Sequence, residues 1–207
     1  MLAKKGNLLK MQSFLPMMFR MRHIYRWGRM YNTQPESLSL HSAECAFLSH
    51  FLASIGNVYL NKNHDADRIA AAALYHDATE IMTGDLPTPV KYFNDTILTA
   101  YKGIEEAAAS NLLDGLPPEM RSIYSDLLLN RVEEEVTIIK AADKLCAYIK
   151  CINEVTAGNK EFEAPLAGCR NKVMAMAEKC PELKIFMERF FYAFTLPLDE
   201  LKIHLLE

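Results

Sequence analysis

His76 and Asp77 stand side by side at the end of an apolar, alanine-rich run from Ile69 to Leu74. A carboxylate placed in such a run is costly unless it is paired or bound to a metal. Glu80 follows four residues after His76 and three after Asp77. On a continuous helix that spacing brings Glu80 to the face the pair occupies. An imidazole and a carboxylate at one helix edge can ligate a divalent ion. A further carboxylate beside them can then orient or deprotonate a water. The chemistry these residue types point to is metal-assisted hydrolysis. His23, His50, His64 and His204 have no comparable neighbour in the chain and read as surface or core histidines.

Two protein ligands hold an ion poorly, so others must come from distant parts of the chain. His41 is one candidate, in a helix whose register faces the core. Asp143 is the second, a carboxylate embedded in the apolar stretch Ile138 to Tyr148. His41, His76, Asp77 and Asp143 together give two imidazoles and two carboxylates from three helices. Such donors suit Mn, Fe, Co or Zn and do not choose among them.

The elements that must position these groups read as helices throughout. Phe14, Met17, Met18, Met21, Ile24 and Tyr25 recur at three and four, which predicts an amphipathic helix over 14–25. A second helix is expected over 38–60. A third, capped by Asn63 or Asp65, is expected to run through Ala70 to Ala73 and on to Thr83-Gly84. Asp85-Leu86-Pro87-Thr88-Pro89 then leaves as a stiff, polar-tipped loop. Further helices are expected near 95–114, 117–129, 132–157, 161–179 and 182–194, with a short one after Pro197. The 132–157 helix opens on Glu133-Glu134-Glu135, acids at the favourable end of the helix dipole, and stops at Gly158-Asn159. No segment alternates with period two, so the fold class is all-α.

A chain of 207 residues can bury a sizeable core, and the expected organisation is a basic lead-in over 1–12 followed by a single domain over 13–207. Net charge is −3, so bulk electrostatics ask for neither a nucleic acid polymer nor an anionic membrane. The five cysteines are odd in number and form no C-x-x-C pair, and no signal peptide is present. Both features favour a reducing, cytoplasmic setting. No uncharged apolar run reaches the ~20 residues of a membrane span.

A histidine on one helix, a His-Asp doublet on the next and a distant helical aspartate are the signature of HD-domain phosphohydrolases. The likeness extends to Arg26-Trp27, to His76 through Glu80, to Thr83 through Phe93 and to Lys140 through Tyr148. These stretches resemble the bacterial 5′-deoxynucleotidases of the YfbR type, which remove phosphate from deoxyribonucleoside 5′-monophosphates. The resemblance covers about Phe14 to Phe194, and its most specific part is the Gly-Asp-Leu-Pro-Thr-Pro loop at 84–89. It implies an HD-type helical bundle with a metal site in its core, one divalent ion and a homodimer. It also implies that His41, His76, Asp77 and Asp143 hold the ion and that Glu80 is the catalytic carboxylate. By the same resemblance Arg26 orients the phosphate through its bidentate donors. Trp27 crowds the sugar 2′ position, and Asp85, Leu86, Pro87 and Thr88 contact the substrate alongside His41, Asp77 and Asp143.

One departure bears on the metal. The family places an acid directly before the ligand histidine, where this chain has Leu40-His41-Ser42. Glu36 and Glu44 are the nearby acids that can replace such a partner, whose loss otherwise weakens metal binding. Within the superfamily, hydrolysis of deoxynucleoside triphosphates keeps the same site and is separated only by its products. A non-catalytic nucleotide sensor is the alternative of a different class, and the complete set of ligands with Glu80, Arg26 and Trp27 argues against it.

Overall fold

A computed structural model describes residues 12–129 and 132–201. The lead-in expected over 1–12 lies outside these except for its last residue, as does His204. Among the described residues every regular element is helical, and the only strand-like feature is an isolated antiparallel bridge between Tyr25 and Ser37. Among these residues ten α-helices run in chain order: α1 Phe14–Met18, α2 Leu38–Tyr59, α3 Ala66–Leu74, α4 Glu80–Thr83, α5 Thr88–Lys91, α6 Asp95–Asp114, α7 Arg121–Leu128, α8 Glu133–Thr156, α9 Glu163–Ala177 and α10 Pro181–Arg189. Short 3₁₀ turns precede α7 and α9 and follow α10, and one at Leu198–Glu200 occupies the position expected after Pro197.

The chain divides into two compact units. Of the described residues, the first takes 12–29, 35–43 and 74–129, and the second takes 30–34, 44–73 and 132–201. The core of the first unit gathers Phe14, Met18, Met21, Leu38, Ala78, Leu112, Leu116 and Leu128. Phe14 lies 4.7 Å from the Tyr124 ring, and Tyr124 meets Tyr75 edge-on at 5.8 Å. Burying a ring of this size contributes about 1.5–3 kcal/mol. Gly115 lets the start of α1 come close, because a Cβ there would stand 2.6 Å from Ser13 Oγ and 2.8 Å from the Phe14 nitrogen.

The first helix is shorter than its pattern predicts. After Met18 the backbone tightens into a 3₁₀ turn, Phe19–His23, and Ile24 is already extended. Met18 and Met21 are both buried and three residues apart. A three-residue repeat keeps them on one side where a 3.6-residue repeat would rotate them apart.

In the second unit α8 packs along α9, and α10 packs on both. Phe162, Leu145, Leu183 and Val173 are fully buried there. Two buried carboxylates are fully engaged as well. Glu154 accepts from the Thr33 backbone N–H at 2.9 Å, the Thr33 hydroxyl at 2.7 Å, Asn159 Nδ2 at 2.8 Å and Lys150. Glu182 pairs with His64 Nε2 at 3.0 Å and Lys62 Nζ at 2.8 Å. His64 therefore has a partner 118 residues away, which no local pattern announces.

The helix expected to carry the His-Asp motif is not continuous. α3 ends at Leu74, residues 75–79 form successive turns, and α4 begins at Glu80. Around this stretch several amides reach back three residues rather than four. Ala78 bonds Tyr75 at 3.2 Å, Glu80 bonds Asp77 at 3.0 Å, and Ile81 bonds Ala78 at 3.2 Å. Ala78 is fully buried in the core of the first unit. Anchoring this methyl group leaves the tighter turns on either side to present His76, Asp77 and Glu80.

Candidate metal and catalytic site

Three side-chain atoms converge within the first unit. His41 Nε2 lies 3.1 Å from His76 Nε2 and 3.5 Å from Asp77 Oδ2, and His76 Nε2 lies 3.2 Å from that same oxygen. Ligands bonded at ~2.1 Å to one ion, roughly 90–109° apart, stand about 3.0–3.4 Å from each other. Two sides of the triangle fall in that range and the third, at 3.5 Å, lies just beyond it, so the three atoms stand close to one face of a metal coordination shell. His41 is fully buried, the His76 side chain is 8% exposed and that of Asp77 is 23% exposed.

Glu36 approaches the far nitrogen of His41 at ion-pair distance, without the geometry of a hydrogen bond. Its Oε1 lies 3.3 Å from His41 Nδ1. A carboxylate there favours a proton on Nδ1 and so leaves the Nε2 lone pair directed at the triangle. Of the two acids that could replace the missing neighbour at position 40, Glu36 makes this contact, while Glu44 is exposed. Sequence alone does not choose between the two, because Glu36 is five residues before His41 and precedes the helix. The Tyr25–Ser37 bridge brings it in, with the Arg26 amide donating to the Glu36 carbonyl at 2.9 Å.

Arg26 Nη1 is 4.0 Å from Asp77 Oδ2, and Arg26 Nε is 3.8 Å from Glu36 Oε1. Trp27 donates from Nε1 to Glu36 Oε2 at 3.2 Å. Its φ of +58° is in the left-handed region, a strained conformation for a bulky residue. The Trp27 amide also bonds the Asp85 carboxylate, so the loop meets the Arg-Trp pair. Burial raises the Asp85 pKa above its ordinary value, against the opposing effects of Arg26 and that amide.

Glu80 Oε2 is buried and accepts no hydrogen bond. Burial, with Asp77 and Asp85 nearby, pushes the Glu80 carboxyl up to about 9, while Arg26 and Lys91 act in the opposite sense. Lys91 is a cation that the motif reading left without a role. Its Nζ pairs with Glu105 at 2.7 Å and sits 4.6 Å from the centre of the Tyr101 ring. Of the remaining expected residues, Leu86 and Pro87 are half-buried between Gly84 and α5. Thr88 opens α5, and its side chain lies outside the described residues. Asp143 is half-buried on α8, in the second unit.

The geometry assembles a cation-sized cluster of donors, an unsatisfied carboxylate and an arginine. Comparisons with known proteins agree with that chemistry. A family model described as 5′-deoxynucleotidase YfbR-like matches residues 13–194. The chain is 44% identical over 195 residues to the 5′-deoxynucleotidase YfbR of Shigella dysenteriae serotype 1, covering 93% of this chain and 97% of the relative. The protein of the same name from Escherichia coli matches to the same extent. Among solved structures, an HD-domain phosphohydrolase from Listeria innocua superposes with a TM-score of 0.76 at 20% identity, over 88% of each chain. The HD phosphohydrolase DatZ of cyanophage S-2L, solved with dA and one catalytic Zn²⁺, superposes with a TM-score of 0.58 at 20% identity, over 86% of this chain and 96% of its own. Likeness at this identity shows the HD fold. No helix among the described residues is long and apolar enough to cross a membrane.

Proposed function

We propose, because this chain belongs to the 5′-deoxynucleotidase YfbR-like family, that it removes the 5′-phosphate from deoxyribonucleoside 5′-monophosphates with the help of one divalent ion. The observation that carries this reading is the triangle of His41 Nε2, His76 Nε2 and Asp77 Oδ2 with Arg26 and Glu80 beside it. The donors fit a first-row divalent ion, Mn, Fe, Co or Zn, and Asp143 is proposed as a further ligand. When bound, such an ion supplies Lewis acidity to the phosphoryl group and acidifies a water.

The chain's own residues do the rest. Glu80 takes a proton from the attacking water as its oxygen bonds to phosphorus. The P–O5′ bond then breaks, the deoxyribose 5′-oxygen takes a proton from solvent and Glu80 returns its own to solvent, giving a nucleoside and inorganic phosphate. Arg26 neutralises charge on the phosphoryl oxygens as they pass through the transition state. Burial is the larger cause of the raised pKa of Glu80, and neutralising Asp77 with a bound ion would remove that carboxylate's share and favour the ionised base. Trp27 stands at the sugar 2′ position, and Asp85 through Thr88 form one substrate wall.

The test is a panel of ribo- and deoxyribonucleoside mono-, di- and triphosphates with protein reconstituted in Mn²⁺, Co²⁺ or Zn²⁺. Inorganic phosphate should appear from deoxynucleoside monophosphates well ahead of their ribose counterparts. Release of pyrophosphate or triphosphate from deoxynucleoside triphosphates instead would overturn the substrate class. No product from any nucleotide would leave a binding protein rather than an enzyme. The same proposal places the protein in the cytoplasm, supported by five buried thiols without a disulfide. It also makes the protein a homodimer, supported by the exposed apolar residues Phe47 and Val58 on α2.

A further inference from the structure

Glu36 is 5% exposed and its carboxylate touches three side chains. Oε1 stands 3.3 Å from His41 Nδ1 and 3.8 Å from Arg26 Nε, and Oε2 accepts from Trp27 Nε1 at 3.2 Å. The backbone fixes this register. Arg26 N–H donates to the Glu36 carbonyl and Leu38 N–H to the Ile24 carbonyl, both at 2.9 Å, on either side of the Tyr25–Ser37 bridge. The carboxylate is thus held opposite the Arg-Trp pair and beneath the imidazole. A carboxylate kept for packing alone would need Arg26 or Trp27; it would not need the far nitrogen of a buried histidine in the donor triangle. The residue next to that histidine, Leu40, can accept nothing and is 48% exposed.

We propose that Glu36 is a positioning residue joining the metal side of the site to its sugar side. It holds His41 as the Nδ1–H tautomer, with Nε2 ready for the ion, and it holds Trp27 in its left-handed turn beside Arg26. Metal affinity and discrimination between deoxyribose and ribose therefore depend on one side chain. The second half of this statement rests on the function proposed above; the first half does not.

Two variants separate the halves. Binding of Co²⁺, followed by visible absorption, should weaken about 10–100-fold in Glu36→Gln, the usual cost of losing a ligand's outer partner. The ratio of kcat/KM for a deoxynucleoside monophosphate over its ribose analogue should fall in the same variant. Trp27→Phe, which cannot donate to Glu36, should lose that ratio while keeping wild-type Co²⁺ affinity. If Glu36→Gln lowers Tm and overall activity but leaves Co²⁺ affinity and the ratio unchanged, Glu36 is only structural and the proposal fails. ¹⁵N NMR of the His41 ring in the ion-free wild-type protein gives a reading that needs no variant to fold. A proton on Nδ1 is expected, and one on Nε2 would overturn the proposal. Should wild-type protein release no phosphate from any deoxynucleotide, the functional reading falls, while the Co²⁺ and NMR arms still decide the hold of Glu36 on His41.

Discussion

Glu80 carries the sharpest electrostatic conflict in the site. Its buried carboxyl is raised to about 9, so in the chain without a bound ion it keeps a proton at neutral pH. The unfolded chain releases that proton near ~4.3, so between these values the native state binds more protons than the unfolded state. Stability of the ion-free protein should therefore fall as pH rises from about 5 towards 9. Glu80→Gln should flatten that decline and raise Tm at pH 8, as read by thermal denaturation across a pH series. The same variant should lower turnover of the metal-loaded enzyme by at least about 10²-fold. A variant that still released phosphate at the wild-type rate would remove Glu80 from the mechanism. His41, His76 and Asp77 were legible as residues from their types and surroundings. The sequence offered Glu36 and Glu44 alike as acids near His41, and the Tyr25–Ser37 bridge singles out Glu36 by bringing it to the imidazole.

Among the elements, the long helices follow closely from the sequence. The helix expected over 38–60 is α2, Leu38–Tyr59, and that expected over 95–114 is α6, Asp95–Asp114. Asn94 caps α6 by accepting from the Ile97 amide at 2.8 Å. The break between α3 and α4 was not legible, because an apolar pattern constrains which side is buried and not whether an amide reaches back three residues or four. Beyond α8, the Glu154 carboxylate ties that helix to Thr33 and Asn159, and its pKa is lowered by Lys150, Asn159 and Thr33 despite burial. A depressed carboxylate pKa stabilises the fold above the unfolded value of ~4.3 and is lost as pH falls through the folded one. Glu154→Gln should cost roughly 1.5–3 kcal/mol at pH 7 by urea denaturation. Variant and wild type should converge in strongly acidic solution, and a gap that stayed constant to pH 2 would contradict the linkage.

For the whole molecule, Phe47 is 76% exposed and Val58 is 71% exposed, both on α2. Large apolar groups in water along one helix are what a second copy of the chain would cover. Light scattering on eluted protein should give twice the 23.5 kDa of the chain, and Phe47→Asp should shift it towards the monomer. A wild-type protein that ran as a monomer at micromolar concentration would overturn the dimer.

By itself the sequence determined the all-α class, the extents of the main helices and the residue types capable of binding a metal and moving a proton. These depend on periodicity, on caps and on the cost of placing charge in apolar runs, all of which act over a few neighbouring residues. Tertiary structure decided that the His-Asp motif lies in tight turns rather than on a helix. It also decided that His64 answers to Glu182, and that the Glu36 carboxylate lies against His41, Arg26 and Trp27 at once. Each of these depends on where separate parts of the chain meet, and a buried carboxylate takes its meaning from the groups that surround it there.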